Sequence, residues 1–387
     1  MEVLIIGAGV GGLTLALALH REGIRSRVFE AAEELRPVGL GINLLPHATG
    51  ELARLGLEAA LAKVAVTTRE AVFFNRFGQF IHREPLGRHA GYATPQFSIH
   101  RGDLQDVLLA AVEERLGPDC IEMGRRVTDI EKLPAQEADV IVGCDGLHSA
   151  VRKQLHPDEG EPVYSGVNMW RGVTRWKPFL TGESFVRAGW LATGKLVIYP
   201  IRKGEEEQLI NWVVEIETPK HKKRDWNRAG RLEDFLGAFD DWRFDWLDVP
   251  AFLRAADVVL EFPMVDQDPL PWWSRGNVTL LGDAAHPMVP RGSNGAGQAI
   301  LDARALADCL AAIPDPVAAL KAYEAKRLPA TSQIVLANRT NPPDAILREV
   351  YLRTGDKPFG RIEDVITKEE IMAISDGYKR VAGLTRT

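Results

Sequence analysis

Cysteine is scarce in this 387-residue chain: only Cys120, Cys144 and Cys309, far apart and in no CxxC pair. An odd, scattered set excludes a disulfide framework and fits a reducing compartment. A basic surplus is also missing. Lys and Arg number 47 against 53 Asp and Glu, a net charge of −6, so nothing global indicates nucleic acid as a partner. No uncharged apolar run approaches the ~18 residues of a bilayer span. The hydrophobic segment 1–10 lacks a basic flank and meets glycines after four apolar residues, unlike a secretory leader. A soluble, cytoplasmic chain without a membrane partner is expected. The nine histidines never take HxxxH spacing, which argues against a metal site, and the absence of a GxSxG elbow argues against a serine hydrolase.

What is present is ordinary globular composition, 45% hydrophobic and 26% charged, with length for one large core or two interlocked ones. Residues 3–6 form a short apolar run of the kind buried on both faces of a parallel sheet. Gly7-Ala8-Gly9-Val10-Gly11-Gly12 follows, then an apolar helical stretch to His20 and a second strand, 26–30. This βαβ unit is a dinucleotide fingerprint in its proper context. Gly7 permits the tight turn, Gly9 admits a pyrophosphate to the backbone, and Gly12 lets helix and strand pack closely. Glu30, eighteen residues after Gly12, ends the second strand where a carboxylate can accept from a ribose hydroxyl. The fingerprint alone leaves NAD and FAD both open.

The middle of the chain differs. Between 161 and 263 lie seven of the nine tryptophans and strand-like runs at 168–176, 195–201 and 208–216, punctuated by Pro and Gly. This reads as an antiparallel sheet inserted between two α/β stretches. The acidic run 205–207 reads as a solvated hairpin tip and 220–224 as a basic loop. A strand at 278–281 then leads into Gly282-Asp283-Ala284-Ala285-His286, a second Gly-rich loop at 292–297, and a helix to about 312. A Gly-rich loop opening a helix suggests a second contact with a cofactor. Residues 340–387 are charged and helical in pattern, with Pro342-Pro343 as the break. The Trp272-Trp273 pair reads equally as core or as interface, so a homodimer is left open.

Between fingerprint and insertion, the apolar strand 139–143 runs into Asp145-Gly146 and a helix carrying Ser149 and Arg152. The ordered set of GxGxxG with Glu30, this Asp-Gly segment, and Gly282-Asp283 before a Gly-rich loop resembles the para-hydroxybenzoate hydroxylase-like, single-component FAD-dependent aromatic monooxygenases. The stretches 98–105, 169–174, 263–271 and 280–302 look close to the phenazine-carboxylate hydroxylases within that family.

The resemblance implies an α/β fold: a Rossmann-like FAD-binding domain (1–72, 97–165 and 264–340), an inserted, mostly antiparallel substrate sheet (73–96 and 166–263), and a C-terminal helical segment (341–387). It implies that Glu30 binds the adenosine ribose, that Arg101 and Gln105 contact FAD, that Asp145 and Gly146 serve FAD and the reductant, and that Asp283 holds the ribityl chain. Gly292, Asn294, Gly295 and Ala296 would border the flavin. A helix N-terminus there would favour the anionic reduced flavin. Trp170, Arg171, Trp190, Tyr199, Trp212, Met288 and Pro290 would border the substrate. Two positions depart from the family: Gly297 stands where many relatives have Asn, and Pro46-His47 where Pro-Asn is frequent. With one Rossmann fingerprint only, NADH or NADPH would bind transiently as reductant.

The implied reaction inserts one atom of O2, through a flavin C4a-hydroperoxide, into an electron-rich aromatic or N-heteroaromatic ring, with a carboxylate the expected substituent. Catalytic candidates are His286, as a proton relay, and Arg171 and Tyr199; Arg171 and Arg291 are candidate partners for a substrate carboxylate. Baeyer–Villiger or antibiotic-tailoring chemistry would share every cofactor motif, and a non-catalytic flavin sensor would share the binding ones.

Overall fold

The computed structural model describes residues 1–35, 39–133, 138–218 and 228–384; the basic segment 220–224 lies outside them. The first strand, Glu2–Ile6, has four of its five residues fully enclosed. It occupies the centre of a five-stranded parallel sheet, between Val140–Gly143 and Arg25–Phe29, with Val278–Leu280 and Ile121–Glu122 at the edges. Helix Val10–Arg21 crosses back over this sheet. At Gly12 a Cβ would stand 1.9 Å from the Gly7 carbonyl oxygen, so only glycine lets helix and strand close to this distance. Gly7 itself has φ +110°, a conformation other residues rarely reach.

The insertion is an eight-stranded sheet. From one edge its order runs Arg228–Ala229, Val258–Asp266, Val163–Trp176, Gln208–Glu217, Gly194–Arg202, Ser184–Trp190, Glu70–Phe74 and Phe80–Pro85. All neighbours are antiparallel except Ser184–Trp190 beside Glu70–Phe74. The three strands expected from the sequence are each present, longer by a few residues, and 205–207 is an exposed hairpin tip.

The two faces of this sheet differ in chemistry. One packs Trp170 and Trp212 against Phe235, Phe239, Trp242 and Phe252, a closed aromatic core. The other carries Arg171, Tyr199 and Arg187 toward the Gly-rich segments of the parallel-sheet unit.

A small sheet of Gly41–Leu44, Phe97–His100 and Val66–Thr67 joins the two halves. Beyond 278, Gly295–Ala312 packs on helix Val10–Arg21 and on the 25-residue helix Pro316–Thr340. Helices Ala345–Thr354 and Lys368–Val381 follow the break at Pro342-Pro343, and they pack with the insertion's edge strands. No helix among the described residues is long and apolar enough to cross a membrane.

Candidate active site

A cavity of about 280 Å³ lies where the two halves meet. Two helix N-termini open onto it: Gly9, Val10 and Gly11 at the start of one, Gly295 and Ala296 at the start of the other. Their free N–H groups offer a positive surface to phosphate or to an anionic ring. At Gly9 and Gly146, both in the lining, a Cβ would meet no protein atom within 4 Å. A Cβ at either position would therefore meet open space at the cavity wall. That cradle, with Arg101 and Asp283 along it, fits a dinucleotide such as FAD.

The remaining expected cofactor residues are placed around this cradle. The Glu30 carboxylate accepts from the Ala8 N–H (2.8 Å) and from the Ala32 N–H (2.8 Å), so it fixes the Gly-rich turn. Gln105 donates to the Ala8 carbonyl (3.0 Å) from the other side. Asp145 is committed locally, accepting from the Ser149 hydroxyl and from the N–H groups of Ala150 and Val151. It thus satisfies the first turn of the short helix Ala150–Leu155, whose N-cap is Ser149, and Gly146, at φ +74°, lines the cavity in its place.

The loop 291–294 is held from outside. Gly292 has φ +81°, and a Cβ there would fall 1.8 Å from the Tyr378 hydroxyl oxygen. Tyr378 donates to Asn338 (2.6 Å) and accepts from the Asn294 amide (2.8 Å). Ser293, in the left-handed region at φ 58°, lines the cavity beside it.

Four of the expected substrate residues, Arg171, Tyr199, Met288 and Pro290, line the cavity. Arg171 (2.8 Å) and Tyr199 (3.0 Å) both donate to the Gly41 carbonyl. Burial pushes the Tyr199 phenol up, against the pull of the Arg171 charge, so it stays a donor at neutral pH. Gly41, Ile42 and Asn43 escaped the sequence reading. A Cβ at Gly41 would meet Ile201 at 2.6 Å and Asn211 at 2.8 Å, and the Gly39-Leu40-Gly41 spacing was the available signal.

Three tryptophans expected at the substrate, Trp170, Trp190 and Trp212, do not line the cavity. Trp170 and Trp212 point into the aromatic core on the opposite sheet face, Trp212 donating to Thr174 (3.0 Å). Trp190 packs beneath the C-terminal helices. The reason is the two-residue period of a strand, which sends Trp170 and Arg171 to opposite faces.

His286 is likewise removed from the cavity. Its Nε2 meets buried Asp302 at 2.5 Å, and Asp302 also accepts from Arg327 (2.6 Å) and from the Gly282 N–H (3.2 Å). Arg327 continues to Gln298 (2.6 Å), and Gln298 lies 3.3 Å from His47. Burial pushes the Asp302 carboxyl up, but the charges of His286 and Arg327 hold it below its usual range. His286 therefore belongs to a buried brace behind the helix Gly295–Ala312 and does not line the cavity.

His47, at the family's Pro-Asn position, is held neutral. Burial and the Arg327 charge lower its pKa from 6.5 to about 4. An unfolded chain takes up a proton there between pH 6.5 and 4 that the folded one refuses. This group's contribution is therefore intact above pH 6.5 and lost on acidification toward pH 4, by at most about 3 kcal/mol. In His47→Asn the fall in Tm between pH 7 and pH 4.5 should be visibly shallower; an unchanged slope would dismiss this account.

Comparison with known proteins follows the same lines. The profile of the FAD binding domain family matches residues 1–132 and 260–338. The chain is 46% identical over 362 residues to phenazine 1,6-dicarboxylic acid hydroxylase PhzS of Lysobacter antibioticus, covering 87% of this chain and 89% of that one. It is 36% identical over 352 residues to 3-amino-4-hydroxybenzoate 2-monooxygenase PtnB3 of Streptomyces platensis, covering 86% and 85%. Among solved structures, Klebsiella pneumoniae HpxO complexed with FAD and uric acid superposes with a TM-score of 0.73 at 22% identity, covering 99% of this chain and 93% of that one, a likeness of fold. The cradle of paired helix N-termini, the matched spans and these identities together show that the chain belongs to the FAD binding domain family, as one of its flavin-dependent aromatic monooxygenases.

Proposed function

We propose that this enzyme hydroxylates a carboxylated N-heteroaromatic ring of the phenazine class, using FAD, O2 and NADH or NADPH. The observation that carries the reading is the chamber adjoining the FAD cradle. The two share Arg171, Tyr199, Pro290 and Ser293, and the chamber holds four cationic side chains, Arg171, Arg187, Lys195 and Arg291, against two carboxylates, Glu215 and Asp344. Two positive charges in excess favour an anionic ligand. The phenazine dicarboxylate named for the 46% identical relative supports the ring class.

Bound FAD supplies the redox and oxygen-transfer chemistry. The chain's residues supply placement. In this reading Glu30 takes the adenosine ribose with the lone pairs its two backbone donors leave free. Arg101 and Asp283 line the middle of the cofactor's path, and the N–H groups at 294–296 face its anionic edge. Tyr199 and Arg171, both tied to the Gly41 carbonyl, fix the boundary between cofactor and substrate. The apolar side chains of Met169, Val197 and Val213 keep water from the reacting ring. Segments 1–72, 97–165 and 264–340 would then hold FAD, 73–96 and 166–263 present the substrate floor, and 341–387 close its outer side. Three free cysteines support a cytoplasmic setting.

The test is NADH oxidation in air by the yellow holoenzyme, with phenazine, pyridine and benzoate carboxylates in turn. Stimulation by a phenazine carboxylate, with an oxygenated product by mass spectrometry, is expected. Holoenzyme indifferent to every ring would overturn the reading.

A further inference from the structure

The strand register lays out the floor of the chamber residue by residue. Arg187 stands opposite Val197, Val197 opposite Val213, and Val213 opposite Arg171. These four form one row across four strands, all on the cavity face. Three interstrand spacings put the two arginine backbones about 14 Å apart. A strip of two valines with a guanidinium at each end is thus built into the sheet.

The two ends are not equivalent. Arg171 borders the FAD cradle and already spends one N–H group on the Gly41 carbonyl. Arg187 lies at the far end, where the chamber meets an outer cavity beneath the helix Lys368–Val381. Among the described residues Arg187 has no hydrogen-bond or ion-pair partner. Its guanidinium lies 4.3 Å from the Phe185 ring centroid and 5.4 Å from that of Phe73. Phe185 in turn stacks on Tyr199, 5.0 Å between centroids, which fixes its plane. The acids nearby pair with lysines: Lys195 holds Glu215 (3.1 Å) and one oxygen of Asp344, whose Oδ1 is left without a hydrogen bond, while Lys379 holds Glu84 (2.7 Å). Burial pulls the Arg187 pKa down, opposed by Asp344 and Glu84, yet a guanidinium stays charged at any physiological pH.

A half-buried guanidinium set beside two aromatic rings, on the chamber face and with no hydrogen bond of its own, has its fork available to a ligand. We propose that Arg187 is a specificity-determining residue that receives a carboxylate at the end of the substrate remote from the flavin. The planar ring system then lies along Val197 and Val213, with its opposite edge at Arg171, Tyr199 and Pro290 beside the cofactor. A fused ring system bearing carboxylates on opposite edges spans this strip, and a single benzoate ring does not. The proposal rests on the phenazine-class reading above and adds to it a residue, an orientation and a preference for two carboxylates.

The test compares wild type, Arg187→Gln and Arg187→Lys as FAD-loaded enzymes, with the flavin content and visible spectrum of each reporting intact folding. The ligands are phenazine-1,6-dicarboxylate, phenazine-1-carboxylate and unsubstituted phenazine. The readouts are Kd by calorimetry and KM by NADH oxidation. Loss of a bidentate, charge-assisted pair should weaken the dicarboxylate about 100-fold in Arg187→Gln. Unsubstituted phenazine should bind both proteins alike. Arg187→Lys should recover part of the loss, since it restores charge without the fork. Equal weakening of charged and uncharged rings, or no weakening of either, would overturn the role of Arg187 while leaving the hydroxylase reading in place. A wild-type enzyme that uses only rings lacking a carboxylate would overturn both.

Discussion

Gly9→Val should yield a folded but colourless protein. At this position a Cβ meets no protein atom within 4 Å, so a valine should neither clash nor unpack anything in the apo fold. Its methyl groups instead project where the backbone at the start of the first helix must approach a pyrophosphate. Close contact with those N–H groups is lost, and the electrostatic attraction of the helix terminus weakens with distance. Occupancy by FAD should drop by at least about 100-fold in affinity, a loss on the order of 3 kcal/mol. Gly12→Val is the informative contrast. There a Cβ would sit 1.9 Å from the Gly7 carbonyl, so that variant should fail to fold. Visible absorbance after reconstitution with FAD, read beside the thermal unfolding of the apo form, separates the two. A yellow Gly9→Val protein would show that the cofactor lies elsewhere.

The second large effect concerns stability. Asp302→Leu should cost about 3–5 kcal/mol, because it strands Arg327 and His286 in the core without their shared acceptor. For a chain of this length that corresponds to a fall in Tm of roughly 4–6 °C. The double variant Asp302→Leu/Arg327→Met should recover a good part of it, since removing both charges leaves less uncompensated than removing one. Differential scanning calorimetry of the three proteins decides the matter. Equal losses in single and double variants would mean that Asp302 acts by shape and not by charge.

The contrast between these two sites shows what a sequence makes legible. The cofactor cradle could be read because its parts are local. Gly7, Gly9, Gly12 and Glu30 lie within one βαβ unit, and each glycine answers to a steric demand of that unit. The substrate face could not be read in the same way. Tryptophans on strands suggested a pocket, but Trp170 and Arg171 are adjacent, and strict alternation allows only one of them to face it. Which one depends on what covers each side of the sheet, and that is settled by the segment 232–253, far along the chain. The place of His286, from sequence alone either a proton relay or a structural anchor, was hidden for a related reason. Its partner Asp302 sits in the middle of a helix sixteen residues on, and Arg327 in the next helix, and nothing in local spacing joins them. Arg187 gave no signal at all, because its meaning comes from the partners it does not have.

The Tyr378 clamp on the loop at Gly292 also has a consequence for the protein's birth. That loop leaves the ribosome 86 residues ahead of the tyrosine that braces it (292 to 378). At about 5–20 residues per second, translation leaves the loop unbraced for roughly 4–17 s. Over that interval the nascent chain already displays the Gly9 turn and the start of helix Gly295–Ala312, yet lacks the contact that sets their neighbour in place. The loop can therefore take its braced form only after the C-terminal helices have emerged.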